Sequence, residues 1–256
     1  MRFGCCAGLD QIQIVQDAGY AYVELPVGAI KAESPDSEFD SIREQIQSYE
    51  IIPEAWNCLL PADMKVTGPE FDKYRIERYL RTAFERIEEL GGEIVVFGSG
   101  LARWVPDGFP MDEANDQIVE FVTLAGQVAG IHGITVAVEP LNPKESNIIN
   151  SVKEGLEIVK KADHPFVKLL ADLYHIEEAG EPMSNVAEAG DEIVHTHTAD
   201  TGRRYTGSGS YPHKEYLGAL KSVGYDDRLS VECEWEDFTS ECNQALMFLR
   251  GIAEQE

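Results

Sequence analysis

The chain has 256 residues, 21 basic and 46 acidic, for a formal net charge of −25 at pH 7. With 43% hydrophobic and 26% charged residues it can build a sizeable core, which excludes an intrinsically disordered chain. A charge of that sign repels phosphate backbones and anionic lipid surfaces, and no run of Lys and Arg offers a local basic patch, so nucleic acid and membrane are excluded as expected partners.

The first residues, MRFGCCAGLD, lack a basic then apolar leader, and no window approaches the roughly 18 apolar residues of a membrane span, which predicts a cytoplasmic protein. Short β-rich apolar runs then alternate with longer stretches of helical periodicity. The predicted strands are 2–6, 21–25, 51–57, 93–98, 134–139, 167–172, 193–198 and 229–234, their ends about 32 residues apart, the length of a strand, a loop and a covering helix. Amphipathic stretches at 41–49, 73–90, 112–129, 152–162 and 239–252 supply helices. The third of these places Ile118, Phe121, Val122 and Ala125 on one face.

Eight βα units in this length predict one α/β domain over residues 1–256, a (β/α)8 TIM barrel. A doubly wound sheet is the competitor, but CCAGLDQ after the first strand lacks its glycine fingerprint. The five cysteines are odd in number, with Cys5 and Cys6 adjacent and no CxxC pair, so they read as free thiols rather than a disulfide or zinc framework.

A barrel's active site lies at the carboxyl ends of its strands. Strands five to eight end in Glu139 (TVAVEP), Asp172 with His175 (LLADLYH), His195 with His197 (IVHTHTAD), and Glu232 with Glu234 (LSVECEW). Carboxylates terminating apolar runs are costly to bury unless paired, protonated or bound to a cation, and Glu, Asp, His and Glu on four consecutive strands form a candidate cage for one divalent ion: manganese, magnesium, cobalt or zinc. Residues two apart share a face, so His195 and His197 point the same way; His197 lies nearer the strand end, and His195 reads as a core histidine. Periodicity alone leaves Glu232 and Glu234 undecided. On the first four strands Glu24, Trp56 and Trp104 are the inward candidates.

The motifs VEPLNPKES, LADLYH, VHTHTAD with Arg203 and Gly207-Ser208-Gly209 behind it, and LSVECEW together resemble the sugar phosphate isomerase/epimerase family of xylose isomerase-like TIM barrels, nearest to its D-tagatose 3-epimerase and hydroxypyruvate isomerase types. The resemblance implies that Glu139, Asp172, His197 and Glu232 hold one divalent metal, manganese before the other three, and it prefers Glu232 to Glu234. It further implies that Glu139 and Glu232 are the acid/base pair, one on each face of a small ketose or hydroxy-keto acid, moving a proton beside a metal-bound carbonyl through an enediolate. His175, Arg203, Glu145 and Trp104 are implied as substrate contacts, and a homo-oligomer is the family's expectation.

The sequence departs from the family pattern at Asp200 and Gly202, where Glu and Asn are usual, at Cys233, where proline is common, and at Thr206, where the later glycine motif has proline. These changes bear on the substrate more than on the ion. An inosose-type dehydratase would use the same enolisation and then expel a hydroxyl. An endonuclease IV-like repair enzyme shares the barrel, but needs further metals with histidines after strands three and four, where this chain reads AWNCLLP and FGSGLARW. A non-catalytic metal and sugar sensor is the remaining alternative, and the presence of both glutamates argues against it.

Overall fold

The computed structural model describes residues 1–254. Eight strands close on themselves, β1 (Arg2–Cys6), β2 (Tyr22–Pro26), β3 (Ala55–Asn57), β4 (Ile94–Phe97), β5 (Thr135–Val138), β6 (Val167–Asp172), β7 (Ile193–Thr198) and β8 (Arg228–Val231), every neighbouring pair parallel and β8 returning to β1. Between them lie α1 (Ile12–Ala18), α2 (Asp36–Gln47), α3 (Lys73–Glu89), α4 (Met111–Ile131), α5 (Val152–Ala162), α6 (Leu173–Ala179), α7 (Ser184–Ala189) and α8 (His213–Ser222), and α9 (Phe238–Ala253) follows β8. The expected (β/α)8 barrel is the observed fold. No helix among the described residues is long and apolar enough to cross a membrane.

Four predicted strands shorten: 93–98 and 134–139 lose one residue at each end, and the other two shorten for physical causes. The run at 51–57 pairs only over Ala55–Asn57, because Pro53 has no N–H to give a ladder and Ile52 turns outward, half exposed. The run at 229–234 leaves the sheet after Val231, although Glu232 N still donates to Thr198 O at 3.0 Å and so keeps the orientation of a strand residue.

Apolar packing forms two layers. The larger lies between strands and helices, where Leu80, Phe84 and Ile87 of α3 meet Phe97 of β4 and Phe121 of α4 in one cluster; a fully buried Leu or Phe of this kind contributes about 1.5–3 kcal/mol. The smaller fills the barrel interior with Tyr22, Ala55, Ile94, Val96, Ala137 and Leu170. Gly4 belongs to this inner layer by necessity, since a Cβ there would overlap the Tyr22 ring.

The inner layer fixes what stands above it. Two residues on from Tyr22, Ala55, Ala137 and Leu170 come Glu24, Asn57, Glu139 and Asp172, and period two turns them inward as well. Trp56, expected to face inward, is corrected by the same rule: it packs fully buried in the outer layer, its Nε1 donating to Pro53 O at 2.8 Å.

Candidate metal centre

Glu139 follows β5, Asp172 ends β6, His197 sits in β7 and Glu232 follows β8. A register shift between Leu169 and Leu170 pairs Asp172 with His197, and His197 in turn pairs with Ser230. One ligand atom from each of Glu139, Asp172, His197 and Glu232 lies within 4.8 Å of all the others. His197 Nδ1 is 3.2 Å from Glu139 Oε1 and 3.5 Å from Glu232 Oε2. Glu234, level with neither, is exposed. A Cβ at Gly98 would overlap Glu139 Oε2, so this glycine gives the carboxylate its place.

Three acidic side chains around one imidazole leave a shortage of positive charge, and the protonation pattern shows it. Burial pushes the Asp172 carboxyl up to about 6. Burial also disfavours charge on His197, yet Glu24 and Glu232 outweigh it and raise the imidazole well above its ordinary value, so a proton serves where a cation is wanted. At Glu232 the effect of burial is overcome by His197 and Arg203, which bring it down to about 2.

The donor set fits a divalent ion. Asp172 Oδ1 caps α6 by accepting from Tyr174 N at 2.9 Å, whereas Oδ2 is buried without a hydrogen-bond partner. An orphaned carboxylate oxygen facing two further carboxylates and an imidazole nitrogen matches hard or borderline cations with mixed oxygen and nitrogen ligation.

Around the cage stand groups that can hold a small polar molecule. His175 Nδ1 accepts from Asn142 N at 3.1 Å, which leaves its proton on Nε2; that nitrogen is buried, unpartnered and 3.6 Å from Asp172 Oδ2. Arg203 spans the mouth, donating from Nη1 to Glu145 Oε2 at 2.6 Å and from Nη2 to Glu232 Oε2 at 3.0 Å, with its guanidinium over the Tyr174 ring. Asn142 Nδ2 in turn donates to Glu145 Oε1 at 3.0 Å. Beside β2 and β3 a cavity of about 370 Å³ opens, lined by Lys31, Ser34, Cys58, Leu60, Pro61 and Tyr79. Cys58 is exposed on this wall, and the negative charges of Glu232, Glu139 and Glu24 help to raise its thiol, which places the wall in the field of the cage.

Thus Glu139, Asp172, His197, Glu232, His175, Arg203 and Glu145 meet at one mouth, while Trp104 stays in the loop after β4 with 39% of its surface exposed. Sequence reasoning missed its neighbour Arg103, which is fully buried with Nη1 on Phe97 O at 3.2 Å and Nη2 unpartnered. Nothing in ARWVPDG distinguishes the two loop residues. It also missed the Asp200–His213 pair at 2.9 Å, whose only signal was that Asp200 departs from the family pattern.

The family described as xylose isomerase-like TIM barrel matches residues 12–252. The chain is 27% identical over 177 residues to a D-psicose 3-epimerase of Ruminiclostridium cellulolyticum, covering 67% of this chain and 60% of that protein. With an L-ribulose 3-epimerase of a Methylomonas species it is 28% identical over 229 residues, 88% of this chain and 76% of the other. Among solved structures, the D-psicose 3-epimerase of Clostridium cellulolyticum with D-tagatose superposes with a TM-score of 0.84 at 21% identity, over 98% of this chain and 99% of that one.

Proposed function

This chain belongs to the xylose isomerase-like TIM barrel family, and we propose that it is a divalent-metal-dependent sugar isomerase or epimerase acting on a small ketose or hydroxy-keto acid. The observation that carries this reading is the four-residue cage of Glu139, Asp172, His197 and Glu232 with its orphaned Asp172 oxygen. The named relatives that span most of the chain are D-psicose and L-ribulose 3-epimerases and a putative hydroxypyruvate isomerase, which favours proton transfer over other chemistries of the fold. The charge of −25 favours a small sugar over a polyanion.

Glu139, Asp172, His197 and Glu232 would hold the ion, and manganese suits the oxygen-rich set. A cation there polarises a carbonyl and an adjacent hydroxyl and so acidifies the neighbouring C–H. The chain does the rest. Glu139 and Glu232 rise from strands three apart in the ring and therefore approach a molecule seated between them from different sides, one to remove the proton and the other to return one. His197 and Arg203 hold Glu232 in its charged form, and Arg203 stands at the mouth where substrate oxygens would enter. His175 presents Nε2–H as a fixed donor. The cavity beside β2 and β3 has room for the carbons away from the reacting pair.

The test is deuterium incorporation, followed by NMR, when the manganese-loaded protein meets a panel of ketoses, hydroxypyruvate and inosose in deuterated water. Exchange beside the carbonyl is expected, lost with chelator and in Glu139→Gln. Loss of water from inosose in place of simple exchange would establish the dehydratase instead, and tight ion binding with no exchange across the panel would favour a sensor.

A further inference from the structure

Glu24 has no part in the chemistry above, yet it is the most completely enclosed carboxylate in the barrel, with no exposed surface at all. It lies on β2, across the interior from β7, with β1 and β8 between them on the wall. Its Oε1 is 2.9 Å from His197 Nε2; its Oε2 is 2.8 Å from His195 Nε2 and accepts from Ser230 Oγ at 2.6 Å. Ser230 Oγ is in turn 2.8 Å from the Tyr22 hydroxyl. The two imidazoles stand edge to face, 5.0 Å apart.

An ionised carboxylate has no proton to give, so each imidazole must present N–H at Nε2. For His197 this leaves Nδ1 for the cage, where it lies 3.2 Å from Glu139 Oε1. A second arrangement competes with this one. Cys6, Glu24 and His197 also bring ligand atoms within 4.8 Å of one another, a rival position for an ion on the far side of the ring. The hydrogen bonds oppose it, because His195 and Ser230 both occupy Oε2 while His197 occupies Oε1, and the carboxylate has no free oxygen to turn toward a cation.

We infer that Glu24 is a positioning residue of the metal centre, fixing His197 from beneath so that Nδ1 and not Nε2 is the ligand atom, with His195 and Ser230 holding Glu24 in that task. The inference rests on the metal-dependent reading of the cage. It gives the H-x-H motif a division of labour: His197 ligates, and His195 anchors the residue that aims it. Partners of this kind fix the tautomer and ring orientation of a ligating histidine, and their loss costs about 10–100-fold in metal affinity.

Zinc is the probe, because it is diamagnetic. In zinc-loaded protein labelled with ¹⁵N at histidine, NMR is expected to show His197 protonated on Nε2, with a slowly exchanging proton, and the ion on Nδ1. Glu24→Gln offers one acceptor and one donor where two acceptors are needed; it is expected to lose the protected Nε2–H and to bind zinc about 10–100-fold more weakly. Ser230→Ala removes one of the groups that hold Glu24 but keeps its carboxylate, and is expected to retain the protected proton and to lose less zinc affinity than Glu24→Gln. Ligation of His197 through Nε2 in the wild type overturns the inference, whether or not Glu24→Gln folds. So does a folded Glu24→Gln that binds zinc as the wild type does, while Glu139→Gln does not. A wild type that binds no zinc overturns the metal centre itself, a separate failure.

Discussion

The two oxygens of Asp172 differ: Oδ1 caps a helix, and Oδ2 is buried without a partner, the oxygen that the proposed cation would take. Without the ion its folded pKa of about 6 lies above the ordinary value near 3.8, so the folded chain takes up a proton that the unfolded chain does not. The stability tied to that proton is fully present below about pH 4 and is lost as pH rises through about 6. Asp172→Asn keeps an oxygen for the Tyr174 N–H and removes the charge. In the metal-free state at pH 7.5 it is therefore expected to be more stable than the wild type, by on the order of 2 kcal/mol, the gap closing as pH falls toward 4. Denaturant melts of both proteins with chelator present, across that pH range, check this; an Asn variant that is less stable at pH 7.5 would refute it. The same variant is expected to lose tight metal binding, the usual trade between a functional site and stability.

At the scale of elements, the β7–α8 loop is organised from within. The Asp200 carboxylate accepts from Thr201 N at 2.8 Å, Gly207 N at 3.0 Å and Tyr211 N at 3.1 Å, and it contacts His213 Nε2 at 2.9 Å. Arg203 lies inside that loop with a positive φ of 58°, a conformation that a long side chain adopts only when its surroundings impose it. Asp200→Ala leaves several donors without their acceptor and is expected to cost about 1–3 kcal/mol, while raising KM because Arg203 is no longer aimed. Burial works against the charge on Asp200, but His213 and the backbone N–H groups win and hold it well below the usual carboxylate range. Its stabilisation is therefore full above about pH 4 and is lost as pH falls further, so the difference from Asp200→Ala should shrink only in strong acid. Melts at pH 7 and pH 3, with KM for the exchanging substrate, test both halves. The eight strands and the cage on strands five to eight were legible because period-two alternation and the strand-end carboxylates are local signals. The short helices α1, α6 and α7 were not, since seven or fewer residues give too little helical period to read. The register shift at Leu169/Leu170, which sets Asp172 beside His197, and the burial of Arg103 in place of Trp104 depend on contacts far apart in sequence and leave no local trace.

For the whole molecule, a charge of −25 and a mouth lined by carboxylates make two electrostatic contributions of different range. Surface repulsion acts over distances comparable with the Debye length, about 10 Å at 0.1 M salt, and is screened by any monovalent electrolyte. The cage carboxylates are buried and close together, so screening barely reaches them, and a bound cation relieves the repulsion that the His197 proton and Arg203 leave. Chelator and salt should therefore act independently. With the ion at about 100 times its Kd, binding adds about 2.7 kcal/mol to the folded state, and for a chain of this size each kcal/mol moves Tm by about 2–4 °C. Removing the ion is thus expected to lower Tm by about 5–10 °C, whereas raising sodium chloride from low to moderate concentration raises Tm with or without the ion. The control is Asp172→Asn, which should lose the response to chelator and keep the response to salt. Thermal scans of the two proteins under the four conditions read this directly. If salt alone restored the Tm lost to chelator, the cage would be one more patch of surface acid, and the burial of Glu139, Asp172 and His197 beneath Arg203 would have no electrostatic consequence.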